Sequence, residues 1–141
     1  MPWLRRYEIA ERSMSPTLSP GDYVVAVAAR RPPRRGDVVI FADPELPGRD
    51  LVKRVIGLSG ETVTVTDGRV LVNGHPEADR WARGPTTPDG SWLVPAGHVF
   101  VLGDDRVSSS GDSRATGPTL VESLAWRILF RYGRRSRSDA G

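Results

Sequence analysis

The sequence contains no cysteine, and that one absence removes disulfide frameworks, thiolate nucleophiles and cysteine-held zinc together. Long hydrophobic runs are missing as well. The longest uncharged apolar stretch, Tyr23 to Ala29, is far short of the ~18 residues that a membrane-spanning helix needs. The first residues lack the apolar core of a secretory signal, so the chain as written is expected to carry neither an anchor nor an export signal. Lysine is almost absent: of 20 basic residues, all but Lys53 are arginine. A bias that replaces lysine everywhere else makes the exception worth explaining. Histidine occurs only at His75 and His98, both in turn-like surroundings that suit them poorly for catalysis.

What is present fits one domain. A chain of 141 residues can bury a core without crosslinks or metals. The formal charge of +3 gives a basic surface that fits anionic lipid or nucleic acid only weakly. Runs rich in valine and isoleucine, separated by Gly, Pro and Asp, recur at Tyr23–Ala28, Asp37–Ala42, Leu51–Leu58, Thr62–Thr66, Arg69–Val72 and His98–Gly103. This spacing predicts a mostly β protein. Thr62 to Thr66 alternates strictly, and Asp67-Gly68 and Asn73-Gly74 are dipeptides favoured where both central residues of a hairpin turn have positive φ. The stretch from Trp81 to Gly90 is rich in Pro, Gly and Thr and reads as a surface loop inside the domain. Leu124, Trp126, Ile128 and Phe130 alternate with Arg127 and Arg131 on the other face, which predicts a closing strand. The expected organisation is one domain over residues 1–132, with a hairpin-and-loop insertion at about 60–97. A basic disordered tail is expected over 133–141.

Three segments carry chemistry. Ser13-Met14-Ser15-Pro16-Thr17-Leu18 is an irregular stretch, and loops on a rigid scaffold commonly hold nucleophiles. A serine hydroxyl needs a neighbouring base to take its proton, and arginine cannot serve because it stays protonated. Lys53 can: strand alternation groups it with Leu51 and Val55, an apolar setting that disfavours the ammonium and lowers its pKa. The third segment, Gly103-Asp104-Asp105-Arg106 through Asp112-Ser113-Arg114, read alone is a solvated loop held by ion pairs.

In this order the three segments resemble the boxes of the bacterial signal peptidase I family, from about Ala10 to Tyr132. Ser13 to Leu18 is similar to the nucleophile box, Arg35-Gly36-Asp37-Val38-Val39 to the strand entry that follows it, and Leu51 to Glu61 to the lysine box. That box usually ends Pro-Gly-Asp, where this chain has Ser59-Gly60-Glu61. Gly103 to Arg114 resembles the last box, with Asp105 in place of the usual Asn and one extra residue between Arg106 and Ser110. The resemblance implies an antiparallel β-sheet or barrel fold in which Ser13 is the nucleophile and Lys53 its base. Counting back from Asp112, it makes Ser110 the serine that orients the lysine, with Asp104, Asp112 and Arg114 as a supporting ion-pair network. It implies no metal or organic cofactor.

The oxyanion donor implied is the Ser13 backbone N–H. Relatives often carry Ser, Thr or Gly two residues before the nucleophile, whereas this chain has Glu11, and an ionised carboxylate cannot donate a hydrogen bond. The implied substrates are the signal peptides of exported preproteins, cut after small residues of Ala-x-Ala type. The implied location is the outer face of the cell membrane, with a monomeric enzyme and no nucleic-acid partner. An apolar rim containing Met14, Trp3 and Leu4 is expected to rest on lipid headgroups. Two other readings compete: a maturation protease for one partner protein, and a non-catalytic arginine-rich β domain binding peptide or nucleic acid.

Overall fold

A computed structural model describes residues 3–135. Ten strands follow one another along the chain: β1 (Leu4–Glu8), β2 (Asp22–Ala28), β3 (Val38–Ala42), β4 (Asp50–Gly57), β5 (Thr62–Thr66), β6 (Arg69–Val72), β7 (Gly90–Leu93), β8 (His98–Leu102), β9 (Thr119–Leu120) and β10 (Leu124–Arg134). One short helix, α1 (Ser113–Thr116), precedes β9. The fold is mostly β, as the valine-rich runs predict. Seven strands form a sheet in the order β1-β2-β10-β3-β4-β8-β9, and β6-β5-β7 form a second, smaller sheet. The ladders between these strands are antiparallel.

The second sheet, β5 to β7, falls within the span of about 60–97 read as a hairpin and loop. Asp67 and Gly68 take φ of 51° and 75°, as the β5–β6 hairpin turn requires. Asn73 and Gly74 do the same at 50° and 81° in the turn that follows β6. The segment read as a plain loop also contributes: its last residue, Gly90, starts β7, which pairs with β5. Its alternation is too short to signal a strand, and it forms because Trp92 and Val94 cover the cluster of Val63, Val65, Phe100 and Leu102. Strand β1 is a second element the composition hides. Leu-Arg-Arg-Tyr-Glu has little to bury, and it is fixed by its ladder to β2 at the sheet edge.

The long β10 spans β2 and β3 and ties the sheet together. Its alternation is broken by a register shift between Ile128 and Phe130, so one residue is skipped and the face is exchanged. Phe130 therefore lies opposite Val25 and is 54% exposed, contrary to the inward face expected for it. The strand also runs on through Gly133 and Arg134. Arg134 pairs with Asp22 at 2.6 Å, and Arg135 N–H donates to the Gly21 carbonyl. The tail expected from residue 133 is thus ordered as far as Arg135, and its remainder lies outside the described residues.

The core beneath the irregular stretch after β1 unites Ile9, Met14, Leu18, Val24, Ala26, Ile40 and Val52. Met14 is 1% exposed, so it anchors this stretch from below and takes no part in an exposed rim. Trp3 and Leu4 are exposed, as expected.

Candidate active site

Ser13 lies in the turn between β1 and β2, where Ser15 N–H donates to the Arg12 carbonyl and Leu18 N–H to the Met14 carbonyl. With Met14 buried beneath it, the turn cannot float. Ser13 is buried, and its carbonyl accepts from Asp105 N–H at 2.8 Å, which ties this turn to the loop after β8. Its hydroxyl makes a long contact, 3.4 Å, to the carbonyl of Val52, the residue beside Lys53. Among the described residues its backbone N–H has no hydrogen-bond partner.

Lys53 sits in β4 opposite Val39 of β3 and is 1% exposed. Burial lowers its pKa from 10.5 to about 8, against the opposing pull of the Asp112 and Glu11 carboxylates. A buried ammonium loses hydration that one nearby carboxylate does not fully replace. Its Nζ donates to Ser109 Oγ at 3.0 Å. Ser109 Oγ also accepts from Gly103 N–H at 3.2 Å and donates to Asp112 Oδ2 at 2.7 Å. Its hydroxyl is therefore fixed as an acceptor toward the lysine.

The lysine's serine partner is thus Ser109, and not Ser110 as counting back from Asp112 implies. Ser110 is exposed and bonds to no member of the site. Two residues after Ser109 the loop bends at Gly111, which adopts a φ of +70°, a region glycine enters at little cost. Gly103 is required for another reason: a Cβ there would lie 2.6 Å from the Ser13 carbonyl oxygen and against Ser109. The expected consequence is that Ser109→Ala lowers the Lys53 pKa further, because loss of an acceptor disfavours the ammonium, whereas Ser110→Ala leaves it in place; carbon NMR of the ¹³C-labelled lysine checks this.

Comparison with known proteins places this geometry. The family described as signal peptidase, peptidase S26, matches residues 1–132. The chain belongs to that family. Signal peptidase I of Leptolyngbya laminosa is 38% identical over 88% of this chain and 66% of its own length. The probable signal peptidase I-1 of Synechocystis is 37% identical over 92% of this chain and 71% of its own. The crystal structure of a signal peptidase I from Enterococcus faecalis superposes with a TM-score of 0.59 at 30% identity, covering 71% of this chain and 98% of that one. The chain spans about two thirds of the length of the first relative and 54% of the signal peptidase I of Pseudomonas fluorescens.

Around the pair, this signal peptidase family member carries three buried ion pairs. Asp112 forms the first with Arg114 at 2.7 Å. Although burial opposes its charged form, the hydrogen bonds from Arg114 and Ser109 hold the Asp112 carboxyl below its ordinary pKa. Asp104 belongs to a separate pair, taking two hydrogen bonds from Arg54 and one from Thr17 Oγ1. It thereby clamps β4 to the turn that holds Ser13. The third pair, Arg106 with Asp79, closes the loop after β8 onto the insertion.

Arg54 has a signal in the sequence, since it follows the lone lysine in the Lys-Arg-Val core. Asp79 has none, because nothing in its surroundings marks the partner of Arg106, 27 residues on. Glu11 is held by Arg49, whose Nη2 lies 2.8 and 2.9 Å from its two carboxylate oxygens. Among the described residues the His75 ring bonds to Glu77 and the His98 ring to the Ala96 carbonyl, so neither ring reaches the site.

Proposed function

We propose that the chain is a serine endopeptidase that removes signal peptides from exported preproteins, with Ser13 as nucleophile and Lys53 as general base. The observation that carries this reading is the chain's one lysine, which is buried with its pKa lowered to about 8 and its Nζ bonded to Ser109, and which follows Val52, whose carbonyl the Ser13 hydroxyl contacts. That lowering brings a usable fraction of neutral amine to neutral pH.

Ser13 Oγ attacks the scissile carbonyl, and its proton passes to the neutral Lys53 amine. The oxyanion takes the free Ser13 N–H as donor. Collapse breaks the C–N bond, and the leaving amine receives the proton from Lys53. The lysine, neutral again, then takes a proton from water as that water attacks the acyl ester. Its ammonium returns the proton to Ser13 Oγ as the ester opens, leaving a carboxylic acid product and the free enzyme. The preference for small side chains of Ala-x-Ala type is carried over from the family resemblance; in this chain the stretch from Tyr7 to Ser13 runs beside Arg49 to Lys53, joined by the Tyr7–Asp50, Glu11–Arg49 and Ser13–Val52 contacts.

The enzyme would work as a monomer at the extracytoplasmic face of a membrane. Support for the membrane comes from the outer face of β1, β2 and β10. There the exposed Leu4 and Phe130 lie opposite Val27 and Val25, and Tyr132 stacks on Tyr23 at 5.9 Å. Arg6, opposite Val25, shares that face, so an apolar patch meets positive charge as headgroups favour. The test is a preprotein-derived peptide with alanine one and three residues before the cut. Cleavage after the second alanine, lost when either alanine becomes a large residue, supports the reading. Cleavage indifferent to both positions counts against it.

A further inference from the structure

The position two residues before Ser13 holds Glu11, and a bare carboxylate there is doubly adverse. It offers no donor to an oxyanion, and it opposes both the negative charge that develops there and the neutral form of Lys53. The structure answers that charge with Arg49, four residues before Lys53. Arg49 Nη2 reaches both Glu11 oxygens at 2.8 and 2.9 Å. The backbone of Arg49 is fixed in the β3–β4 connection: its N–H donates to the Leu46 carbonyl, and its carbonyl accepts from Asp43 N–H at 2.8 Å. Its Nε is buried without a hydrogen-bond partner, 4.0 Å from Asp43 Oδ2. A buried unpaired donor costs stability, which the head group of Arg49 bears in order to stay on Glu11.

We infer that Arg49 is a positioning residue of the catalytic pair, whose guanidinium tethers and neutralises the Glu11 carboxylate beside Ser13. This inference rests on the assignment of Ser13 and Lys53 made under the proposed function. The charges that face Lys53 are Glu11 from the nucleophile turn, Arg49 from the β3–β4 connection, and Asp112 and Arg114 from the loop after β8. Within that set Glu11 and Arg49 act in opposite senses on the amine. Removing one alone unbalances the site, and removing both restores it.

Because Lys53 is the one lysine of the chain, its titration can be followed without turnover by carbon NMR of protein labelled with ¹³C-lysine. The full chain would be compared as wild type, Arg49→Gln, Glu11→Gln and the double variant Glu11→Gln/Arg49→Gln. The midpoint, near 8 in the wild type, is expected to rise by about half a unit to one unit in Arg49→Gln. It is expected to fall by a similar amount in Glu11→Gln, and to return near the wild-type value in the double variant. The alkaline shift of the acid limb of kcat/KM in Arg49→Gln follows the same change.

Midpoints unmoved in both single variants, or a double variant no nearer the wild type than either, would overturn the inference. Should Arg49→Gln fail to fold, the Glu11→Gln midpoint alone decides. A wild type whose lysine titrates as expected but cuts no preprotein peptide counts against the protease reading. A wild type that cuts, with an unmoved lysine in the variants, counts against this inference alone.

Discussion

Replacing Lys53 by methionine is expected to abolish peptide cleavage while making the protein more stable. The two effects share one cause. Lys53 is held where its ammonium is poorly solvated, so its pKa is about 8 in the fold against 10.5 as the ordinary value. Between those values the unfolded chain binds more protons than the native one, so stability rises with pH across roughly pH 8 to 10.5. Below pH 8 the amine is charged in both states, and the native state bears a cost of about 3 kcal/mol. Methionine has a similar volume and no charge, which removes that cost but leaves Ser109 and Asp112 without their cation. A net gain of about 1–3 kcal/mol at pH 7 is expected, with a loss of about 10⁴-fold or more in kcat/KM. Denaturant melts at pH 7 and pH 10 check the first half: the gain should shrink at the higher pH. A variant less stable than the wild type at pH 7 would mean that the lysine supports the fold and is not poised for chemistry.

The second large effect concerns Arg106. It is 0% exposed in its side chain and its partner Asp79 is 3% exposed, with two hydrogen bonds of 2.7 Å between them. Arg106 also donates to the Gly103 carbonyl and to Thr86 Oγ1. Truncation to alanine strips Asp79 of its counter-charge inside the protein, and breaking one side of a buried pair costs about 3–5 kcal/mol. A fall in Tm of roughly 10 °C or more should follow in thermal melts. The double variant Asp79→Leu/Arg106→Met is expected to recover much of the loss, since no charge is then left unpaired. An Arg106→Ala variant that loses under 1 kcal/mol would show that the insertion is not locked to the catalytic loop through this pair.

Much of this architecture was open to reading from the chain alone, and the divisions have physical causes. Strands with a buried face and glycine turns declare themselves, so β2 to β6, β8 and the Asp67-Gly68 hairpin follow from valine spacing and turn chemistry. Strand β1 does not, because an exposed edge strand needs only a backbone partner and carries no apolar alternation. The exposure of Phe130 was hidden for a different reason: a skipped residue in β10 inverts the face until the next shift, between Arg131 and Gly133, and nothing local marks the skip. At the site, Ser13 and Lys53 stand out by residue type and order. Ser109 does not, since three successive serines offer themselves and only the loop path, bent at Gly111, selects one. Arg49 and Asp79 are brought in by tertiary folding across long sequence distances, and sequence spacing carries no record of that.

The central claim, that a buried neutral lysine activates Ser13, is tested most directly by one pH series. Initial rates of cleavage of an Ala-x-Ala preprotein peptide would be measured between pH 6 and pH 10 for the wild type and Ser13→Ala. The expected result is a kcat/KM that rises with pH through a midpoint near 8, where Lys53 loses its proton, and no cleavage by Ser13→Ala at any pH. A profile flat across this range, or cleavage that persists in Ser13→Ala, would contradict it.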